Sequence, residues 1–336
     1  MIKPLKPVKP VKPLLGSAIA LACAALTAPA WAQGYPTKPI QLVVPFSAGG
    51  DADLAARNLS AAAQIVMGHP IIVLNKAGAN GAIGSAFVKD ASVDGYNLLV
   101  GRIGSQVLLP VLQPQTTPYK WNDFTYIGLL ELNPVVCVVH PDSPYKTVAD
   151  LASALKANPG KLNYSHSGPA TVQNLAPQLL FSTLHLKPNA GTSIPYKGGN
   201  EVALAVITKD VDFACNNLSS MTGLLAGGKL KALLTTTPER LTQFPDIPTA
   251  REASLPQMEA VIGWSALVGP PKMNPEAVKK WADALKQVSQ NPKWIAGNAN
   301  FGGIPNVLSP EDTLKFVTES QAIYADLVQK ANLEIK

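Results

Sequence analysis

The sequence predicts an α/β protein of two lobes with a cleft between them. Three observations carry that prediction. Short apolar runs alternate with amphipathic stretches through most of the 336 residues, the pattern of strands joined by helices in mostly parallel sheets. The runs sort along the chain into four, then five, then one, which suits two sheets with a late return to the first. Several runs end in glycine-rich loops that open the following helix.

The first strand is Ile40-Gln41-Leu42-Val43-Val44; it ends at Pro45-Phe46-Ser47-Ala48-Gly49-Gly50, before an alanine-rich helix over 52–67. Strand 71–74, helix 80–90 and strand 97–100 follow, and strand 125–129 completes the first four. The middle five strands are 135–139, 162–164, 193–196, 211–215 and 231–236, separated by helices at 147–157, 171–184, 200–208 and 219–226. A late strand at 261–268 and helices at 275–290 and 310–331 complete the first lobe. Proline-rich segments at 245–256 and 270–275 suit connectors. Lobe 1 is therefore expected at 33–131 and 257–336, and lobe 2 at 132–256. Lobes joined by crossing strands open and close about a hinge.

Residues 1–32 read as a cleaved secretory leader. Lys3, Lys6, Lys9 and Lys12 make a basic start, Leu14 to Leu26 is apolar, and Ala30-Trp31-Ala32 is an A-x-A cleavage signal. The apolar run is shorter than the ~20 residues of a membrane span. Cys23 follows Ala20-Leu21-Ala22, a poor lipobox. Without the four leader lysines, 24 basic residues face 22 acidic ones, a net charge of +2. The high isoelectric point belongs to the leader, and no basic stripe points to nucleic acid. The expected product is exported and monomeric. Cys137 and Cys215 each lie in an apolar run; they pair in an oxidising compartment or stay as two separate buried thiols, and the sequence leaves both open.

Four loops share one device. Gly49 and Gly50, Asn75 to Gly84, Ser165 to Thr171, and Tyr196 to Asn200 each lead from a strand into a helix. Ligands of open α/β sheets sit at the carboxyl ends of strands, and a helix N-terminus offers unpaired N–H groups to an anion. Glycines there also simply make turns. Asp51 and Asp53 would repel an anion, so they are expected to point away, capping N–H groups or bracing loops, with Asp53 also four residues from Arg57.

Enzyme signatures are missing. Gly227-Gly228-Lys229 is followed by Leu230, so there is no P-loop, and neither a G-x-S-x-G elbow nor a dinucleotide fingerprint occurs. His69, His140, His166 and His185 lack metal-ligand spacing, so no metal and no cofactor are expected.

"YPTKPIQLVVPFSAGGDADLAAR", "NKAGANGAIGSAFV", "DGYNLLVG" and "KLNYSHSGPATVQNLAPQLLF" resemble the Bug-type solute-binding proteins of tripartite tricarboxylate transporters. So do "IPYKGGNEVALAVITKDVDF" and "GGKLKALLTTTPERLTQFPDIPTAREA", and the likeness spans about 35 to 330. The resemblance implies a periplasmic binding protein of Venus-flytrap, type II-like form. Such a protein hands a small carboxylate to integral-membrane permease subunits and performs no chemistry. By position it implies a first carboxylate loop of Phe46, Ser47, Ala48 and Gly49, a second with Ala82 and Ile83, and a third with Ser167, Gly168 and Thr171. The chain departs from the family pattern at Ser47, where proline is common, at His166, Ala170 and Asn174, and at Asn216-Asn217, where many members carry an acid facing an amine.

Arg102, followed by Ser105 and Gln106, ends the third strand opposite the anion loops. Its guanidinium is either solvated at the surface or a fork for a second carboxylate. With Asn216 in place of an acid, amino acids are disfavoured and a dicarboxylate is expected, an aromatic one such as terephthalate included. Phe46, Tyr164, Tyr196 and Trp264 are candidate walls for a ring, or core. Two other classes would use the same cleft: a periplasmic α/β hydrolase or transferase, and a ligand sensor for a signalling partner.

Overall fold

The computed structural model describes residues 34–330, together with Pro4 and Lys6. The expected leader, those two residues apart, lies outside the described residues. The chain begins with β1 (Ile40–Val44), α1 (Asp51–Met67), β2 (Ile71–Asn75), α2 (Ala82–Lys89) and β3 (Asn97–Arg102). A π-helical segment, Gly104–Leu108, and the short α3 (Leu109–Leu112) lead to β4 (Thr125–Val139). Then come α4 (Val148–Ala157), β5 (Leu162–His166), α5 (Val172–Thr183), β6 (Gly191–Pro195), α6 (Gly199–Ile207) and β7 (Phe213–Asn217). The chain ends with α7 (Thr222–Ala226), β8 (Lys231–Thr235), β9 (Ile262–Gly269), α8 (Pro275–Val288), α9 (Pro292–Asn300), β10 (Ile304–Pro305) and α10 (Pro310–Lys330).

All ten strands join one curled sheet, with main order β2-β1-β3-β9-β4-β7-β5-β6. It has two halves, and β4 belongs to both. Residues Thr125 to Pro134 of β4 pair with β9, while Val135 to Val139 pair with β7 and β8. The outer strands are parallel: β1 to β2 and β3, β5 to β6 and β7. Around β4 and β9 the pairing is antiparallel, so each half is mixed rather than mostly parallel. The chain leaves the first half along β4 and returns along β9 on the same seam, which sets those neighbours in opposite directions.

The two strands expected at 125–129 and 135–139 are one 15-residue strand. Pro134 does not break it because its missing N–H falls where β4 changes partners. Register shifts at Tyr126/Gly128 and Leu129/Glu131 bend the strand there. Cys137 and Cys215 stand opposite each other across β4 and β7 and form a disulfide.

Alternation along the strands builds the core. Leu42, Val44, Leu98 and Val100 face α1 and α8, where Leu59 and Trp281 are buried; Val43 and Leu99 face the other side with Leu108, Val317 and Tyr324. Alanines 52, 56 and 63 of α1, all fully buried, let that helix lie close on the sheet. Among the described residues no helix is long and apolar enough to cross a membrane.

Candidate functional site

The loops at the carboxyl ends of β1, β3, β5, β6 and β7 meet on one cavity at the seam between the two halves. Three helices begin on it: α1 after Gly50, α5 after Thr171 and α6 after Gly198. None of the three has a side-chain cap. Three of the helices that start elsewhere are capped, since Thr147 accepts from Asp150 N, Asn274 from Glu276 N, and Asn291 from Lys293 N and Trp294 N, whereas α2, α3 and α7 are not. A side-chain cap is worth about 1 kcal/mol. Three helices forgo it where they face the cavity, leaving N–H groups and positive dipole ends for an anion. α1 belongs to the first half, α5 and α6 to the second.

The walls nearly touch. Ser47 Oγ donates to Lys197 O across the seam at 3.2 Å, and the space enclosed is only about 20 Å³, room for about one water. Glycine makes this approach possible. Gly49 has φ +78°, and a Cβ there would sit 2.7 Å from Asn200 Nδ2 of the opposite half. A Cβ on Gly198 would collide with Ser47 Oγ. Outside this cavity lies a wider one of about 470 Å³, lined by the 77–81 loop, Ser167, Gly168, Tyr196 and Lys197. Phe46 and Ser47 face both.

Charge is concentrated at the inner wall. Arg102 is 3 % exposed and lines the cavity, so it is not a solvated surface arginine. Its Nη2 donates to Asp51 Oδ2, and its Nη1 to Ser265 Oγ and, at 3.3 Å, to Glu131 Oε1. Both arms of the expected fork are thus held by protein acids. Asp51 was expected to point away; it lines the cavity instead and also accepts from Asn217 Nδ2 at 2.6 Å, across the seam. Arg102 beside it draws the carboxylate inward. Asp53 does brace the loop, accepting from Gly49 N at 2.8 Å, Arg57 Nε at 2.8 Å and Asn75 Nδ2 at 3.0 Å. Burial alone would raise its pKa, but the bonds from Arg57, Gly49 and Asn75 outweigh that and hold it below the usual carboxylate value. Burial pushes Glu131 up, against the pull of Arg102. Burial likewise pushes His166 down; its Nδ1 accepts from Gly168 N at 3.0 Å and so shapes the third loop.

Phe46, Ser47, Ser167, Thr171 and Arg102 line the inner cavity, and Gly168 the outer one. Ala48 is exposed, and neither it nor Gly49 lines either cavity. Ala82 and Ile83 start α2 beside the outer cavity, with Ile83 turned out to solvent. Ser105 and Gln106 are buried behind Arg102: Ser105 Oγ donates to Arg102 O at 3.2 Å, and Gln106 Nε2 to Ser85 Oγ at 3.1 Å. Asn216 stands one layer back, donating to Gly199 O at 2.9 Å and accepting from Gln173 Nε2 at 3.1 Å. Tyr164 packs against Phe181 and Phe213, and Trp264 donates to Ser320 Oγ, so both are core. Sequence reasoning missed Gln173, Asn217 and Glu131 as site residues. An acid immediately after the glycine pair, with an arginine ending a neighbouring strand, was the available signal for the charged wall.

A family model described as the tripartite tricarboxylate transporter family receptor matches residues 55–333. A UPF0065 protein of Cupriavidus necator is 32 % identical over 321 residues, covering 94 % of this chain and 94 % of its own length. Among solved structures, the periplasmic binding protein BugD is 29 % identical with TM-score 0.83, covering 89 % of this chain and 99 % of its own. MatC from Rhodopseudomonas palustris with bound malate is 28 % identical with TM-score 0.82, covering 88 % and 100 %. An R. palustris protein with adipate is 26 % identical with TM-score 0.84, covering 89 % and 99 %.

Proposed function

The chain belongs to the tripartite tricarboxylate transporter receptor family, and from that premise we propose that it captures a small carboxylate at this seam and delivers it to membrane permease subunits. The family and its structural neighbours are binding proteins for transporters, not enzymes. The observation that carries the reading is the convergence of three uncapped helix N-termini, from both halves, on one cavity. A carboxylate seated there is contacted from both sides, so it favours the closed form. The lobes of this reading are residues 33–131 with 257–336, and 132–256. The protein acts as an exported periplasmic monomer after loss of its leader.

Within the carboxylates we propose a dicarboxylate, the class that the malate- and adipate-bearing neighbours carry. Arg102 receives a second carboxylate only if Asp51 leaves it, so the far carboxylate is better directed to the outer cavity and Lys197. With Tyr164 and Trp264 in the core, aromatic walls reduce to Phe46 and Tyr196. A small aliphatic dicarboxylate is therefore favoured over terephthalate. A calorimetric and thermal-shift panel of mono-, di- and tricarboxylates, aliphatic and aromatic, tests this. One class should bind at one site per chain and shrink the radius of gyration in small-angle scattering. No binding by any carboxylate, or turnover of an ester, would end the reading.

A further inference from the structure

The contact between Asp51 and Asn217 is a buried polar bond across the seam, and it constrains what can replace it. Asp51 begins α1 in the first half and stays with Arg102 of that half; Asn217 ends β7 in the second. The inner cavity of about 20 Å³ is smaller than a carboxylic acid, so a ligand seated there spreads the walls, and the Asp51–Asn217 contact is one that such spreading opens. Parting them leaves Asp51 Oδ2 short of a donor and Asn217 Nδ2 short of an acceptor. The Asn217 side chain, 2 % exposed, makes its one hydrogen bond among the described residues to Asp51, while its Oδ1 has no partner. A buried polar atom left unpaired is costly, so the ligand group seated here must repair both losses.

We propose that the ligand carries a hydroxyl beside its carboxylate, and that this hydroxyl donates to Asp51 and accepts from Asn217. This rests on the carboxylate-receptor reading above and narrows it to hydroxy acids. A hydroxyl is the small group that donates and accepts at one atom. A methylene repairs neither loss. An ammonium donates but cannot accept, so it leaves the Asn217 amide unpaired, and it would sit beside the Arg102 guanidinium that already holds the Asp51 carboxylate. A second carboxylate at this point would face the Asp51 oxygen without a proton to offer. Asp51 and Asn217 thus act as specificity-determining residues, separate from the backbone N–H groups that hold the carboxylate.

Two matched series test the proposal by calorimetric titration: malate, succinate and aspartate, and 2-hydroxyglutarate, glutarate and glutamate. In at least one series the hydroxy acid should bind at least tenfold more tightly than both analogues, the usual consequence of leaving a buried partner unpaired. Asp51→Asn and, independently, Asn217→Ala should each cut that preference to threefold or less. The second variant keeps the Asp51–Arg102 pair intact should the first fail to fold. Equal affinities within both series would overturn the proposal while leaving the receptor reading in place, since a bridging water would then serve all three. A hydroxy-acid preference that survives in Asn217→Ala would overturn it too. No binding by any of the six acids would overturn the proposal for these acids and leave the receptor reading to the wider carboxylate panel above.

Discussion

Arg102 tests whether the inner wall is a ligand contact or a brace. Replacing it by alanine removes the cation shared by Asp51 and Glu131, in a wall where Arg102 is 3 %, Glu131 3 % and Asp51 8 % exposed. Removing one partner of a buried ion pair costs about 3–5 kcal/mol, because a charge is left without compensation. Two features place the loss at the lower end. Glu131 is already pushed towards its neutral form by burial and keeps the Ser265 hydroxyl at 2.9 Å; Asp51 keeps Asn217. About 3 kcal/mol is expected, and at roughly 2–4 °C per kcal/mol the melting temperature falls by about 6–12 °C. Urea unfolding followed by circular dichroism measures it at pH 7. Glu131 has a raised folded-state pKa, so its ionisation in the native state costs stability as pH climbs from the ordinary glutamate range through that raised value. The deficit of Arg102→Ala should accordingly shrink as pH falls and Glu131 takes up its proton. Replacing all three charges, with Arg102→Met, Asp51→Asn and Glu131→Gln, should recover most of the loss. If Arg102→Ala unfolds within about 0.5 kcal/mol of wild type while dicarboxylate affinity collapses, the brace argument is wrong and the arginine serves the ligand directly.

Gly49→Val should weaken carboxylate binding at least tenfold in a folded protein, because a branched side chain at φ +78° is strained and its Cβ would press on Asn200 across the seam; unchanged affinity by calorimetry would refute close approach at this loop. His166 should make binding pH-dependent. Burial lowers its folded-state pKa below the ordinary histidine value, so the stability of the neutral ring is full above about 6.5 and is lost as pH falls from there through the folded value. Protonation also fills Nδ1, which accepts from Gly168 N, and loosens the third loop. Affinity should fall on acidification in that window, and His166→Gln should flatten the profile; an equally steep profile in the variant would assign the effect elsewhere.

The alternation of apolar runs was enough to place eight strands within about two residues of where they lie, and both ends of β4, since period and burial are local properties of the chain. What the runs could not convey was direction. The antiparallel seam of β4 and β9 depends on where the chain goes after leaving a half-sheet, and no residue of either strand encodes that. β10 is two residues long and exposed, held by its pairing with Glu131 and Leu132, so it carries no periodic signal. α9 did carry one: Asn291-Pro292 is a cap followed by a first-turn proline.

The site divides along the same line. Loops whose backbone comes close to an opposing wall announce themselves by glycine, because the requirement is the absence of a side chain, and the loops that bring Phe46, Ser47, Gly50, Ser167, Thr171, Gly198 and Gly199 to the cavity were legible for that reason. The charged wall was not, because the orientation of Asp51 depends on residues far away in sequence. An acid in a helix's first turn is stabilised by that helix whichever way it points. What turns it inward is Arg102, 51 residues on, and Asn217, 166 residues on. Neither partner is recognisable without the sheet order that sets β3 beside β1 and carries β7 to the far side of β4. The arginine read alone from sequence suggested a free cation awaiting a second carboxylate. Placed in the fold, it already holds two, Asp51 and Glu131, and both belong to the protein.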